Sequence, residues 1–215
     1  MSKRPAHAAQ ARTIRDVLNH AAEAVRDGRL EDAIETLRQA TQGPAPHPLA
    51  FLELGDLLGR LGHYEQAVAV FEAGLAHEPD AIILRVGLGY VLLNRGSRAA
   101  ARAQFEEVRR LAPARYDGLV AMADVLALDG DYAGAIELYR RALELQPDKP
   151  MTLISLGRCL LEIGDREAGE RALRTATQGV SKPVWPAIAA LTATPHGRAF
   201  LRPSAAAAFL GVKPT

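Results

Sequence analysis

The residues of this chain that are able to do chemistry do not lie at the spacings that chemistry requires. The six histidines show neither the HxxxH spacing nor the HExxH motif of metal sites. Cys159, the single cysteine, excludes an intramolecular disulfide, and no local signature supplies the histidine base of a cysteine nucleophile. Gly87-Leu88-Gly89 lacks the third glycine and the preceding strand of a dinucleotide site. We therefore expect the protein not to be an enzyme and to bind no metal or cofactor.

The overall composition is that of an ordinary globular chain without a membrane span. Of its 215 residues, 48% are hydrophobic and 24% are charged, and the formal net charge is +1. No stretch approaches about 18 consecutive apolar residues, and Met1 to Pro5 do not begin a secretory signal. We expect a cytoplasmic protein. The high alanine content favours helix, and together with the many arginines it indicates a bacterium with a GC-rich genome.

Five glycines recur at a constant spacing of 34 residues: Gly28, Gly62, Gly96, Gly130 and Gly164. Each lies in a short polar junction, where a glycine that closes a helix takes the left-handed conformation without steric cost. A small residue follows five positions after each glycine, and a large residue follows four positions later. The apolar spacing between the junctions is helical. The pattern predicts five two-helix units, over 14–47, 48–81, 82–115, 116–149 and 150–183.

This pattern resembles the tetratricopeptide repeat. The second unit carries the motif most fully, in Phe51, Leu54, Gly55, Gly62, Tyr64, Ala67, Phe71 and Pro79. The first unit is degenerate, with His20 at a large apolar position, and we expect that side chain to be partly buried. The resemblance implies an all-α fold, an α-α superhelical solenoid of helical hairpins with a C-terminal capping helix region. One hairpin buries too little apolar area to be stable alone, whereas stacked hairpins cover one another.

The two ends of the chain differ from the repeats. We predict a flexible basic arm at 1–13 and a Pro/Ala-rich region at 184–215, with short helices at about 186–192 and 204–210. This C-terminal region either caps the fifth repeat or is a tail that docks on a partner or into the groove of this chain.

Charge is distributed unevenly along the chain. Residues 14–170 hold all 25 acidic residues against 17 basic ones, whereas 1–13 carry +3 and 171–215 carry +6. An acidic middle between basic ends is compatible with head-to-tail association, with self-docking, or with contact to an anionic surface. It is equally compatible with arginines that only solubilise the ends. The acidic repeats disfavour nucleic-acid binding.

The resemblance also implies a concave groove lined by the first helix of each repeat. The side chains that it places there are Leu18, Leu49, Leu52, Glu53, Asp56, Ile83, Val86, Tyr90, Asn94, Val120, Asp124, Ile154 and Arg158. Position 5 of every repeat is apolar, which predicts a hydrophobic stripe, although these residues would serve equally well in packing between helices. The Lys and Asn residues with which some family members clamp a C-terminal carboxylate are absent from these positions. The stripe favours an amphipathic helix or an apolar extended peptide.

These observations predict a non-catalytic protein–protein interaction adaptor or scaffold whose partner is another protein or peptide. Two alternatives stay open. One is a self-assembling scaffold, a homo-oligomer in which basic ends meet acidic middles. The other is an accessory subunit of a separately encoded enzyme.

Overall fold

The computed structural model describes residues 13–43, 46–178, 186–187, 189–190 and 209–211. These residues form ten α-helices and no strand, so the all-α fold expected from the sequence is confirmed. The chain divides into two compact units, Met1–Ser97 and Arg98–Thr215, which we call unit 1 and unit 2. The predicted basic arm, except Thr13, and most of the predicted C-terminal helices lie outside the described residues.

Unit 1 contains five helices: α1 (Ile14–Arg26), α2 (Leu30–Thr41), α3 (Pro48–Arg60), α4 (Tyr64–His77) and α5 (Ile82–Asn94). Consecutive helices pack as hairpins, and α1 and α5 both contact α3. Thr13 begins α1 with a reciprocal capping box, in which its hydroxyl and the Asp16 carboxylate each accept from the other residue's backbone N–H. Pro48 occupies the first turn of α3, where its missing N–H costs nothing.

Unit 2 also contains five helices: α6 (Arg98–Leu111), α7 (Tyr116–Leu128), α8 (Tyr132–Leu145), α9 (Pro150–Glu162) and α10 (Arg166–Thr177). The hairpins α7–α8 and α9–α10 make its most extensive contacts. Ala187, Ala190 and Leu210 from the C-terminal region are buried in one cluster with Ile154, Leu161 and Leu173. The Thr177 hydroxyl donates to the Leu210 carbonyl at 2.9 Å, which fastens this end to α10.

The glycines of the 34-residue series close the first helix of each predicted repeat. Their φ angles lie between +76° and +87°, in the region that L-residues with a Cβ rarely adopt. In the second repeat, for example, the N–H of His63 donates to the Leu58 carbonyl at 2.9 Å, spanning Gly62. The same bond recurs at the other four glycines, so the five turns share one Schellman-type geometry.

The core of unit 1 centres on Phe71, whose side chain is fully buried. Its ring lies between Gly55 of α3 and Gly87 of α5. A Cβ atom on Gly55 would lie 2.5 Å from Cε2 of Phe71, and one on Gly87 would lie 2.5 Å from Cε1. Only glycine therefore lets the two helices approach this ring from both sides.

His20 is exposed, so the expected partial burial of this side chain is wrong. The reason is the face of α1 that packs inward. This helix buries Ala21 and Ala24 instead, and His20 points away from the helices that cover them.

Candidate functional site

A pocket of about 420 Å³ lies in unit 1 among α1, α2, α3 and α5. Three helices supply its walls at helical spacing, so that the residues of each helix share one face. These residues are Leu18, Ala22 and Val25 from α1, Glu53, Asp56 and Arg60 from α3, and Gly87, Tyr90 and Asn94 from α5. Five of the predicted groove residues are thereby brought together: Leu18, Glu53, Asp56, Tyr90 and Asn94. We call this cavity the unit 1 pocket.

The floor of the unit 1 pocket is apolar. Leu18, Val25, Leu57 and Val91 line it, together with the small side chain of Ala21. Small residues form part of its lining, namely Gly59, Gly87 and two alanines of α1. The floor can therefore receive a bulky apolar group from outside.

Two carboxylates, Glu53 and Asp56, lie on the rim of the unit 1 pocket, one turn apart on α3. Desolvation by the pocket raises the pKa of Asp56 above its ordinary value, the Glu53 charge adds to that rise, and Arg60 opposes it. Among the residues that the structure describes, none forms a hydrogen bond or an ion pair with either carboxylate. Both groups are exposed at the mouth, where an incoming ligand would meet them.

The other predicted groove residues of unit 1 lie outside this pocket. Leu49, Leu52, Ile83 and Val86 are each partly buried. Cδ1 of Leu52 would lie 3.4 Å from a Cβ atom on Gly87, so this leucine packs across to α5. Part of the stripe thus contributes to packing between helices, as the alternative interpretation of position 5 expects.

In unit 2, Asp124 is tied to the core. The hydroxyl of the fully buried Tyr139 donates a hydrogen bond of 2.5 Å to Oδ1 of Asp124, which is half-buried. Burial and the Asp124 charge raise the pKa of Tyr139 far above its ordinary value, so the phenol stays protonated and remains a donor. Val120, the predicted stripe residue of this repeat, is half-buried against the same cluster. Asp124 is therefore already engaged by this chain.

Ile154 and Arg158 line a second pocket of about 340 Å³, between α9 and residues of the C-terminal region. Arg158 is exposed, but only 5% of the Ile154 surface is accessible, because Ala187 and Ala190 pack in the same cluster. This corrects the expectation that Ile154 forms an open part of the stripe. The chain itself covers that end of the predicted groove.

Sequence reasoning missed several residues of the unit 1 pocket. Arg60 occupies the same repeat position as Asn94, and Val25 and Gly59 occupy another groove position, so the repeat register would have found them. The repeat register does not point to Leu37, because this residue belongs to the second helix of its hairpin. It does not point to Leu57 or Val91 either, because both lie at a core position of the repeat.

No catalytic constellation emerges among the described residues. Cys159 is fully buried, and this burial raises the pKa of its thiol to about 11, so it is not a nucleophile at neutral pH. The described part of the chain contains no group of three or more His, Cys, Asp or Glu side chains placed to hold a metal ion. Nor is any described helix both long enough and apolar enough to cross a bilayer.

Comparison with solved structures shows the same fold in other proteins. The thermophilic TPR protein TTC0263 of Thermus thermophilus is similar, with a TM-score of 0.70 and 18% identity over 83% of this chain and 97% of that one. MamA from Desulfovibrio magneticus RS-1 (residues 41 to the end) gives a TM-score of 0.59 and 23% identity, over 75% of this chain and 92% of that one. No curated protein is significantly similar in sequence.

Family models agree with the fold. Two models described as tetratricopeptide repeats match the sequence, one at residues 52–113 and 86–150 and the other at residues 126–193. The matches together span residues 52–193, which is more than half of the chain. This protein therefore belongs to the tetratricopeptide repeat family, whose fold serves as a protein-interaction scaffold.

Proposed function

We propose that the protein is a non-catalytic adaptor that binds a segment of another protein in the unit 1 pocket. The observation that carries this proposal is a preformed cavity with an apolar floor and a charged rim, built by three first helices of successive repeats. Such a cavity suits an anchor side chain on an amphipathic helix or an extended peptide, which presents an apolar group and a polar flank together.

The proposal is tested by filling the cavity from a position that is not needed for folding. Ala22 is exposed and lines the pocket, so Ala22→Trp places an indole in the cavity without overpacking the core. The matched control is Ala73→Trp, at an exposed alanine of α4, a helix that does not line the pocket. Proteins captured from a lysate of the source cells by the wild type and by both variants are compared by quantitative mass spectrometry.

We expect Ala22→Trp to reduce recovery of specific partners at least tenfold, and Ala73→Trp to leave it unchanged. Both variants should keep the melting temperature of the wild type within a few degrees. Equal recovery of all captured proteins by the two variants would contradict the proposal.

Self-association is the second candidate, favoured by the basic residues 171–215 and the acidic rim of the pocket. Oligomers that dissociate between about 50 and 500 mM salt, and that are lost in Ala22→Trp, would support it. Light scattering at both salt concentrations makes the measurement.

A further inference from the structure

Two aspartates occupy the same groove position in the second and fourth repeats, Asp56 and Asp124, 68 residues apart. The aromatic residue that follows each of them by 15 positions differs. In the fourth repeat it is Tyr139, whose hydroxyl holds the Asp124 carboxylate. In the second repeat it is Phe71, which has no hydroxyl to offer. The Asp56 carboxylate is consequently left at the mouth of the unit 1 pocket, without a hydrogen bond to any described residue.

The rim of the unit 1 pocket is asymmetric in charge. Glu53 and Asp56 stand one turn apart on α3, and Arg60 follows one turn beyond Asp56. The cavity walls desolvate Asp56, so its charge is stabilised less by water than that of a surface carboxylate. A ligand cation beside Glu53 and Asp56 would offset that loss, whereas Arg60 would repel a cation placed at its own end.

We infer that the segment bound in the unit 1 pocket carries a large apolar anchor side chain with a lysine or arginine within one helical turn of it. The anchor enters the apolar floor, and the cation pairs with Glu53 and Asp56. This inference rests on the proposed function and adds the chemistry of the partner. The partner is assigned to a different protein because the two cations that the structure describes in this chain's basic C-terminal region, Arg171 and Arg174, already contact Glu167 and Phe209 within unit 2.

The test is a selection from a phage-displayed library of random 12-residue peptides against three forms of the full chain. These are the wild type, the charge-swapped variant Glu53→Lys/Asp56→Lys, and a control variant Glu65→Lys/Glu72→Lys. Both control positions are exposed on α4, which does not line the pocket, so the control changes net charge equally. Circular dichroism melts establish that each form is folded, and Glu53→Gln/Asp56→Asn replaces the swapped variant if that variant does not fold.

We expect wild-type and control selections to enrich peptides with a bulky apolar residue and a Lys or Arg three or four positions away. The swapped variant should enrich Asp or Glu at that place, and the neutral variant should show no charge preference. In fluorescence anisotropy, replacing the basic residue of a selected peptide by Glu should weaken wild-type binding by about tenfold or more. The same replacement should strengthen binding to the swapped variant.

The outcomes separate the inference from the proposed function. Selected peptides that lose binding to Ala22→Trp but show no charge preference overturn the inference and leave the proposed function standing. A selection without any peptide sensitive to Ala22→Trp overturns both. Enriched sequences that match residues 171–215 of this chain overturn the assignment to a different protein and point to a second copy.

Discussion

The second and fourth repeats share one two-helix plan but carry different aromatic residues at the same buried position. Phe71 and Tyr139 are both fully buried at the same repeat position, and each follows an aspartate of the first helix by 15 residues. The phenol of Tyr139 holds Asp124 as a part of the core of unit 2. Phe71 makes no such bond and leaves Asp56 at a pocket. The aspartate is therefore held by this chain where the aromatic residue carries a hydroxyl, whereas the aspartate of the other repeat has no hydrogen bond to a described residue.

The largest effect is expected from removing the ring at the centre of unit 1. Phe71→Ala leaves a void between α3 and α5 and should lower the free energy of unfolding by about 3–5 kcal/mol. Phe71→Leu is the control, and it should recover part of that loss. Urea unfolding followed by circular dichroism measures both. A loss below about 1 kcal/mol would show that the two helices close over the void.

Removing the hydroxyl from the fourth repeat should have a smaller effect. Tyr139→Phe deletes a hydrogen bond to a carboxylate and leaves Asp124 half-buried without that donor, so we expect a loss of about 1.5–3 kcal/mol. Tyr116→Phe is a matched control, since its hydroxyl bonds the neutral Thr152 hydroxyl and should cost about 1 kcal/mol. Equal losses of unfolding free energy in the two variants would mean that the charge of Asp124 does not strengthen its hydrogen bond with Tyr139.

Adding the hydroxyl to the second repeat should reproduce the arrangement of the fourth. We expect Phe71→Tyr to divert Asp56 into a hydrogen bond with the new phenol and so to weaken binding of an apolar–basic peptide severalfold. The measurement is fluorescence anisotropy with a peptide selected on the wild type, and the melting temperature serves as the folding control. Unchanged peptide affinity in a folded variant would show that a hydroxyl at position 71 does not engage the Asp56 carboxylate.

The smallest effect concerns pH. The folded state raises the pKa of Asp56, so its ionised form is slightly destabilising at neutral pH, and this penalty disappears as pH falls and the carboxyl is protonated. Asp56→Asn should therefore be slightly more stable than the wild type at pH 7 and equal to it below the ordinary value of 3.8. Thermal melts between these pH values test the direction of the stability change, with Asp80→Asn, outside the pocket, as the control. If Asp56→Asn were less stable than the wild type at pH 7, the prediction would be wrong.

Much of the fold could be predicted because the sequence repeats its own signals. The spacing of the five turn glycines predicted the helical hairpins, and all five adopt the positive φ that the prediction requires. The exposure of His20 could not be predicted, because the degenerate first repeat buries other residues of α1 in its place. The burial of Ile154 depends on Ala187 and Ala190, which lie beyond the repeats and follow no period.

Only part of the candidate site could be predicted from the sequence. Repeat position identified Glu53, Asp56 and Asp124 alike. It does not say which of these carboxylates accepts a hydrogen bond from a core side chain of this chain. That distinction rests on a residue 15 positions further along, on the next helix, and on whether its ring carries a donor. The difference between Phe71 and Tyr139 was visible in the sequence, whereas its consequence required the geometry of the hydrogen bond.

Phe71 has a further consequence for recognition. Its ring packs against Gly55 of α3 and Gly87 of α5 with no clearance, and both helices also line the unit 1 pocket. The ring therefore fixes the separation of these two helices. A ligand that moved α3 relative to α5 would have to break this packing, so we expect the two walls that they form to stay in place on binding.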